Sequence, residues 1–179
     1  MNPKEVLSFW FEELSPKDWW TKSESLDQSI KERFGQLHRQ ASLGELFEWR
    51  STAKDSLAEV IVLDQFSRNI YRDSAKAFAQ DAHALTLAQV AIEKGFNQQL
   101  SQQEQQFLYL PFMHSESKKI HQEAVKLYAQ LDKDYGYDFE LKHKEIIDRF
   151  GRYPHRNKAL GRRSTTEEQK FLQQPGSSF

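Results

Sequence analysis

Charged side chains interrupt one otherwise apolar stretch of the sequence. Asp64, Arg68 and Arg72 recur at every fourth position, so a helix would align them in one stripe that Leu57 and Ile61 begin. An isolated buried charge is very costly, so these groups must pair or face a wet cavity. Asp64 can pair with Arg68 one turn on, which would leave Arg72 for another partner or for an anionic ligand. These groups are either a structural ion pair that fixes helix packing or the wall of a ligand pocket with two guanidiniums pointing inward.

A second group of candidates lies in residues 149–163, where basic side chains alternate with aromatic and turn residues. The guanidinium group is a planar fork that suits carboxylate or phosphate, so this segment is a candidate anion-binding loop. A solvated basic surface loop is the plain alternative. The candidate ligand-binding residues in this segment are Arg149, Arg152, His155, Arg156, Asn157 and Arg162.

His114 and Glu116 follow Pro111, at a point where a helix is expected to kink or end. A histidine there can transfer protons near neutral pH, oriented by Glu116 or Asp64. We therefore take His114, Glu116 and His155 as candidate catalytic residues. A hydrogen-bonded core histidine without catalytic function is the common alternative.

The elements that must position these residues are helices, because no segment alternates apolar and polar residues between turn signals. Capping boxes are predicted at Ser101 with Glu104 and at Ser164 with Glu167. Residues 15–20 are predicted to be a linker. The predicted helices cover residues 3–13, about 23–43, 54–71, 75–94, 101–111, 117–134 and 139–150, with a short last helix from 164.

The helix between 54 and 71 has apolar residues nearly all round, so it should lie inside the protein. Short connections between consecutive helices predict antiparallel helical hairpins. We predict an all-α fold in which about seven or eight helices stack as a tetratricopeptide-like α-α superhelix. Residues 1–173 should form a single helical domain, and residues 174–179 a disordered tail.

Composition excludes several classes of function. The 179 residues include no cysteine, which rules out disulfides, cysteine-ligated metals and a thiol nucleophile in this chain. A net charge of −1 disfavours nucleic-acid binding, which usually requires a basic surface. The chain shows no signal-peptide layout and no long apolar run, so we expect a cytoplasmic protein without membrane contact.

Metal and cofactor motifs are also scarce. Only Glu140 with His143 fits the Glu-x-x-His pattern of di-iron bundles, and no second copy exists. The sequence contains no His-Glu-x-x-His, no Gly-x-Ser-x-Gly and no glycine-rich phosphate loop. We therefore predict neither a metal site nor a cofactor.

Three segments together carry a resemblance to a known family. They are Leu63 to Asn69, Tyr109 to Glu116, and Arg149 to Asn157 with the following Leu160-Gly161-Arg162. Their order and spacing resemble a bacterial family catalogued only as domain of unknown function 924, over nearly the whole chain. The resemblance implies an all-α fold similar to tetratricopeptide-repeat proteins. It implies no activity, and no catalytic residue is carried over.

The preferred functional interpretation is a binding module with an Arg/His-lined pocket. Its partner would be an acidic peptide or a small phosphate or carboxylate metabolite. The alternative is a cofactor-independent hydrolase or lyase, in which Arg68 and Arg156 hold the substrate while His114 or His155 transfers protons. RNA binding through the basic loop is a third possibility that the overall charge disfavours.

Overall fold

The computed structural model describes residues 1–177, and all regular secondary structure in that range is helical. Nine helices can be distinguished among these residues. They are α1 (Pro3–Ser8, continued by a π-helical turn Phe9–Glu13), α2 (Pro16–Trp20), α3 (Glu24–Ser42), α4 (Ala53–Ile61, then a π-helical turn Val62–Phe66, then Ser67–Ile70), α5 (Asp81–Glu93), α6 (Gln102–Met113), α7 (Lys118–Tyr128), α8 (Tyr137–Phe150) and α9 (Thr166–Phe171).

Helix α4 forms the centre of the fold. Every residue from 56 to 67 is buried, as the apolar pattern predicted. The helix packs against α1, α3, α5 and α6, so each of its faces meets another element. Large aromatic side chains fill the space around it, and Trp10, Phe34, Phe66 and Phe107 are fully buried.

Helices α6, α7 and α8 extend this core as consecutive packed pairs joined by short turns. A smaller apolar cluster of Ile146, Ile147 and Tyr153 lies at the end of α8. The all-α class and the stacked antiparallel hairpins are confirmed. The additional helix is α2, which replaces the predicted linker because Asp18 accepts hydrogen bonds from the backbone amide and hydroxyl of Ser15.

Two local predictions are wrong. Pro111 does not end its helix, because α6 continues to Met113. Pro111 and its neighbours Leu110 and Phe112 are buried, so tertiary packing outweighs the local preference. The capping box of the last helix is Thr165 with Glu168, one residue later than predicted.

Two predicted helices are shorter than their sequence patterns indicated. Residues Ala75–Phe78 form a 3-10 turn, and the α-helix that follows begins only at Asp81. The sixth predicted helix ends at Tyr128, and a separate 3-10 turn covers Lys133–Tyr135.

The predicted disordered tail is only partly within the described range. Residues 174–177 form turns, and the hydroxyl of Ser177 donates to the Leu172 carbonyl oxygen at 3.2 Å. Residues 178 and 179 lie outside the described residues. Within residues 1–177, no helix combines the length and the apolar character that crossing a bilayer requires.

Candidate functional site

A buried carboxylate and a histidine form the inner part of the site. Asp64 lies in the π-helical turn of α4, and His114 is the C-cap residue that directly follows the last residue of α6. Asp64 Oδ1 is 2.8 Å from His114 Nδ1, and Gln65 donates to the other carboxylate oxygen at 2.5 Å. An ionised carboxylate can only accept, so Nδ1 carries the proton and the lone pair of neutral His114 lies on Nε2. Single π-helical turns of this kind occur often at functional sites.

Arg68 follows Asp64 by one helical turn and is held by two carboxylate groups. Its Nη1 donates to the Asp64 backbone carbonyl at 2.8 Å and lies 3.3 Å from the Asp64 carboxylate. Its two terminal nitrogens donate to the two oxygens of Asp81, at 3.0 and 3.1 Å. The predicted pairing of Asp64 with Arg68 is therefore confirmed, and Asp81 is an additional partner.

Arg156 reaches the same carboxylate from the 3-10 turn Pro154–Arg156. Its Nη1 donates to Asp81 Oδ2 at 3.1 Å. The guanidinium carbon lies 4.6 Å from the ring centroids of both Phe78 and Tyr153, within the range of cation–π attraction. We call Asp64, Arg68, Asp81, His114 and Arg156 the candidate site.

The hydrogen bonding of Arg156 is incomplete. Its side chain is only 7% exposed, yet the bond to Asp81 is the one hydrogen bond that its guanidinium makes with residues 1–177. Its Nε is fully buried and has no acceptor within the described chain. Buried polar groups are nearly always hydrogen-bonded, so this guanidinium has unused capacity to bind an acceptor.

Burial and the neighbouring charges change the proton affinities of these groups. Burial alone would raise the pKa of Asp64, but Arg68 and His114 lower it well below its usual range. Burial, followed by the Arg68 charge, lowers the pKa of His114 although Asp64 opposes the shift. Burial, followed by Arg68, also lowers the pKa of Arg156. His114 is therefore neutral near pH 7, with a basic nitrogen available.

His155 directly precedes Arg156 in the sequence and is a neighbour of the candidate site. Burial, with the adjacent Arg156 charge, lowers the pKa of His155 to about 4, so it is neutral near pH 7. Its ring packs on Tyr153, with centroids 5.5 Å apart. His155 therefore places an uncharged imidazole next to Arg156.

The other arginines of the predicted pocket lie in separate ion pairs. Arg72 binds both carboxylate oxygens of Asp27, so its missing partner comes from α3. The remaining pairs are Arg149 with Glu167, Arg152 with Glu168, and Arg162 with Glu116. Each of these arginines is therefore already bound by a carboxylate of its own, a partner that the sequence interpretation did not identify.

Glu116 and Asn157 organise the loop that carries Arg156. Glu116 accepts two hydrogen bonds from Arg162, at 2.6 and 2.9 Å, and one from the Tyr153 amide at 2.7 Å. Asn157 is almost fully buried and accepts from Arg162 at 2.9 Å. Both residues therefore hold the loop through Arg162 and the Tyr153 backbone, and the hydrogen-bond partners of Glu116 do not include His114.

Sequence reasoning missed Asp81, Phe78 and Tyr153. Asp81 is the first residue of α5, a position where acidic residues are common for reasons of helix stability alone. Phe78 and Tyr153 carry no charge, so no chemical pattern distinguished them from other aromatic residues. Within residues 1–177, no three His, Asp or Glu side chains are arranged to hold a metal ion.

Comparison with known proteins gives the family. A family model described as "Bacterial protein of unknown function (DUF924)" matches residues 6–176. The chain belongs to the DUF924 family. The resemblance predicted from three sequence segments is thereby confirmed.

A solved structure supports the fold of this DUF924 chain. A protein of unknown function from Agrobacterium tumefaciens is 36% identical, with a TM-score of 0.90. The alignment covers 95% of this chain and 96% of that one. A comparison with curated proteins finds no significant match. The DUF924 family thus establishes the fold, and the function must be argued from the site.

Proposed function

We propose that this protein binds a small ligand bearing a carboxylate or phosphate group, at Arg156 and Arg68. The observation that carries the proposal is the buried guanidinium of Arg156, which makes a single hydrogen bond and leaves Nε without an acceptor in the described chain. An anionic oxygen is the group that such a donor binds most strongly, because the hydrogen bond is charge-assisted.

Electrostatics supports an anion of low charge. Two guanidiniums and two carboxylates balance within the candidate site while His114 is neutral. Asp81 satisfies both ends of Arg68 but only one nitrogen of Arg156, so the positive charge of Arg156 is the less neutralised of the two. A carboxylate or phosphate oxygen at Arg156 would add a charge-assisted hydrogen bond, because Asp81 uses only one of the five guanidinium donors.

Burial favours a small ligand over an acidic peptide. The exposed fractions of the side chains are 19% for Arg68, 19% for Asp81 and 15% for His114. Only an edge of each group is therefore open to solvent, which suits one anionic group rather than an extended chain. A peptide would have to enter through one carboxylate, such as its terminus.

Titration with simple anions tests the proposal. Calorimetry and thermal shift are measured with sulfate, phosphate and acetate at constant ionic strength, with chloride as the reference. A ligand that binds only the native state raises the melting temperature. We expect Arg156→Gln to weaken the binding of the best anion by at least about tenfold, because a charge-assisted hydrogen bond is lost.

Arg72→Gln is the control, since it removes an arginine whose guanidinium is already bound by both carboxylate oxygens of Asp27 and lies outside the candidate site. It should leave anion affinity unchanged. Equal weakening in both variants would show that the anions respond to overall charge and not to the candidate site. Arg156→Lys separates charge from geometry, because lysine keeps the charge but not the planar fork.

Proton transfer by His114 is a second candidate function, and the Asp64 hydrogen bond is the observation that favours it. A carboxylate on Nδ1 fixes the tautomer and leaves Nε2 as a base, the arrangement used in many hydrolytic sites. A ligand found by titration is incubated with the wild type and with His114→Gln, and its conversion is followed by NMR. Conversion by the wild type alone, with binding kept in the variant, supports catalysis. A bound but unchanged ligand at every pH from 5 to 9 limits the site to binding.

A further inference from the structure

Tyr153 is fully buried and contacts both Arg156 and Met113, the residue before His114. Its hydroxyl donates a hydrogen bond of 2.5 Å to the carbonyl oxygen of Met113. One face of its ring lies against the Arg156 guanidinium at 4.6 Å. Burial raises the pKa of Tyr153, so its phenol remains a proton donor under all physiological conditions.

His121 holds the backbone on the other side of His114. Its Nε2 is 2.8 Å from the carbonyl oxygen of Ser115 and 3.2 Å from the Tyr153 hydroxyl. A carbonyl oxygen can only accept, so Nε2 of His121 carries a proton and donates it. The carbonyls that flank His114 on both sides, those of Met113 and Ser115, are therefore fixed by two buried side chains.

The hydrogen bond from His121 to Ser115 does not depend on whether the proton between Glu140 and His121 lies on the carboxyl group or on the imidazole. Its Oε1 is 2.7 Å from His121 Nδ1, and both side chains are completely buried. The pair can exist as carboxylate with imidazolium, or as carboxylic acid with neutral imidazole. In both forms Nε2 keeps its hydrogen, so the bond to Ser115 persists.

We infer that Tyr153, supported by the buried His121–Glu140 pair, is a positioning residue that holds His114 and Arg156 in one fixed arrangement. The inference rests on the proposed function, because it assigns Tyr153 a role in a site that binds an anion at Arg156. Its hydroxyl acts on His114 through the end of α6, and its ring acts on Arg156 through cation–π contact. The two roles are carried by different atoms and are separable.

Two substitutions separate them. Tyr153→Phe keeps the ring on Arg156 and removes the bond to Met113, whereas Tyr153→Leu removes both. Tyr128→Phe is the matched control, since the buried Tyr128 also donates its hydroxyl to an α6 carbonyl, that of Gln106, at 3.2 Å. If Tyr153→Leu does not melt cooperatively, Tyr153→Met replaces it as an unbranched apolar variant.

Two readouts are measured for each variant. The first is the titration midpoint of His114, from the NMR shift of its imidazole carbon between pH 4 and 9, assigned with His114→Gln. Asp64, Arg68 and Asp81 are the charged groups that shift the pKa of this imidazole, His143 and His155 are the titratable neighbours that interact with it, and none of them is altered. The second is phosphate affinity by calorimetry, which requires the guanidinium of Arg156 but not the phenol of Tyr153.

In Tyr153→Phe we expect the midpoint of His114 to rise toward its ordinary 6.5, because a loosened α6 end admits water, while phosphate affinity changes less than about twofold. In Tyr153→Leu we expect the same rise and a loss of phosphate affinity of about fivefold. Tyr128→Phe should change neither quantity. A midpoint in Tyr153→Phe equal to that of the wild type would overturn the inference, as would full phosphate affinity in Tyr153→Leu.

Failure of the inference and failure of the proposed function give different results. If the wild type binds none of phosphate, sulfate and acetate, the proposed function fails, but the His114 titration still tests the positioning of α6. If the wild type binds phosphate and both Tyr153 variants behave like Tyr128→Phe, the anion site stands and the positioning role is rejected.

Discussion

Arg68 and Arg156 donate hydrogen bonds to the same carboxylate, that of Asp81. Two like charges are thereby held together in a largely buried place, at a free-energy cost that Asp81 offsets. Asp81 occupies the position that the carboxylate of a ligand would take on a pair of guanidiniums. If the candidate site binds anions as proposed, Asp81 competes with the ligand for both guanidiniums.

Asp81→Asn should strengthen anion binding while it weakens the fold. The amide keeps the shape of the carboxylate but removes its charge, so both guanidiniums gain capacity for an external anion. We expect phosphate affinity to rise about tenfold and the free energy of unfolding to fall by about 1–3 kcal/mol. Calorimetry and urea unfolding measure the two quantities. Asp27→Asn, at the Arg72 pair, is the control, and weaker phosphate binding in Asp81→Asn would contradict the prediction.

Asp64→Asn should lower the pKa of His114 further. Burial and Arg68 already lower this pKa, and Asp64 is the main group that raises it. Removing the carboxylate charge therefore moves the midpoint down, whereas Arg68→Met should move it up. NMR titration of His114 in the two variants gives the sign directly. Shifts in the same direction would show that the imidazole does not respond to these two charges.

Sulfate binding should become stronger as the pH falls. A bound anion adds negative charge beside His114 and so raises the pKa of its imidazole above the lowered value of the free protein. Protons are therefore taken up on binding, and affinity increases as pH falls through the pKa of the complex. Calorimetry in buffers of different ionisation enthalpy measures the uptake. His114→Gln should abolish it, and an unchanged uptake in that variant would assign the proton elsewhere.

Glu140→Gln should change how stability depends on pH. Burial, opposed only in part by His121, raises the pKa of Glu140 above 4.5. The native state then keeps a proton that the unfolded chain has released, so this group stabilises the wild type fully below pH 4.5 and progressively less above it. As the pH rises from 4.5 through the raised pKa of Glu140, the free energy of unfolding of Glu140→Gln should increase relative to that of the wild type. Urea unfolding at several pH values tests this, with the exposed Glu123→Gln as the control, and a constant difference would refute it.

Local patterns predicted part of the fold and of the site. The continuous apolar run around Asp64 correctly indicated a buried helix, and the four-residue spacing indicated its pairing with Arg68. The helix end predicted at Pro111 was wrong, because a buried proline is kept within the helix by packing that a short sequence segment does not reveal. The family was also recognisable from sequence. The anionic ligand remains a prediction.

Long-range partners could not be predicted in the same way. Arg72 pairs with Asp27, 45 positions earlier, and no periodicity connects the two. Arg156 meets Asp81 across 75 positions, so its difference from the other loop arginines depends entirely on tertiary structure. In sequence the arginines of the predicted pocket were equivalent candidates, whereas the fold gives most of them a carboxylate of their own that is distant in sequence.

The positions of Arg68, Asp81 and Arg156 in the sequence also have a consequence for the order of folding steps. The loop that joins Arg68 to Asp81 spans 13 positions, whereas the one that joins Arg156 to Asp81 spans 75. Closure of the shorter loop costs less entropy, so we expect the Arg68–Asp81 pair to form before Arg156 joins it. On this expectation Arg156 docks onto an ion pair that already exists, and a chain that lacks residues beyond 150 can still neutralise Arg68.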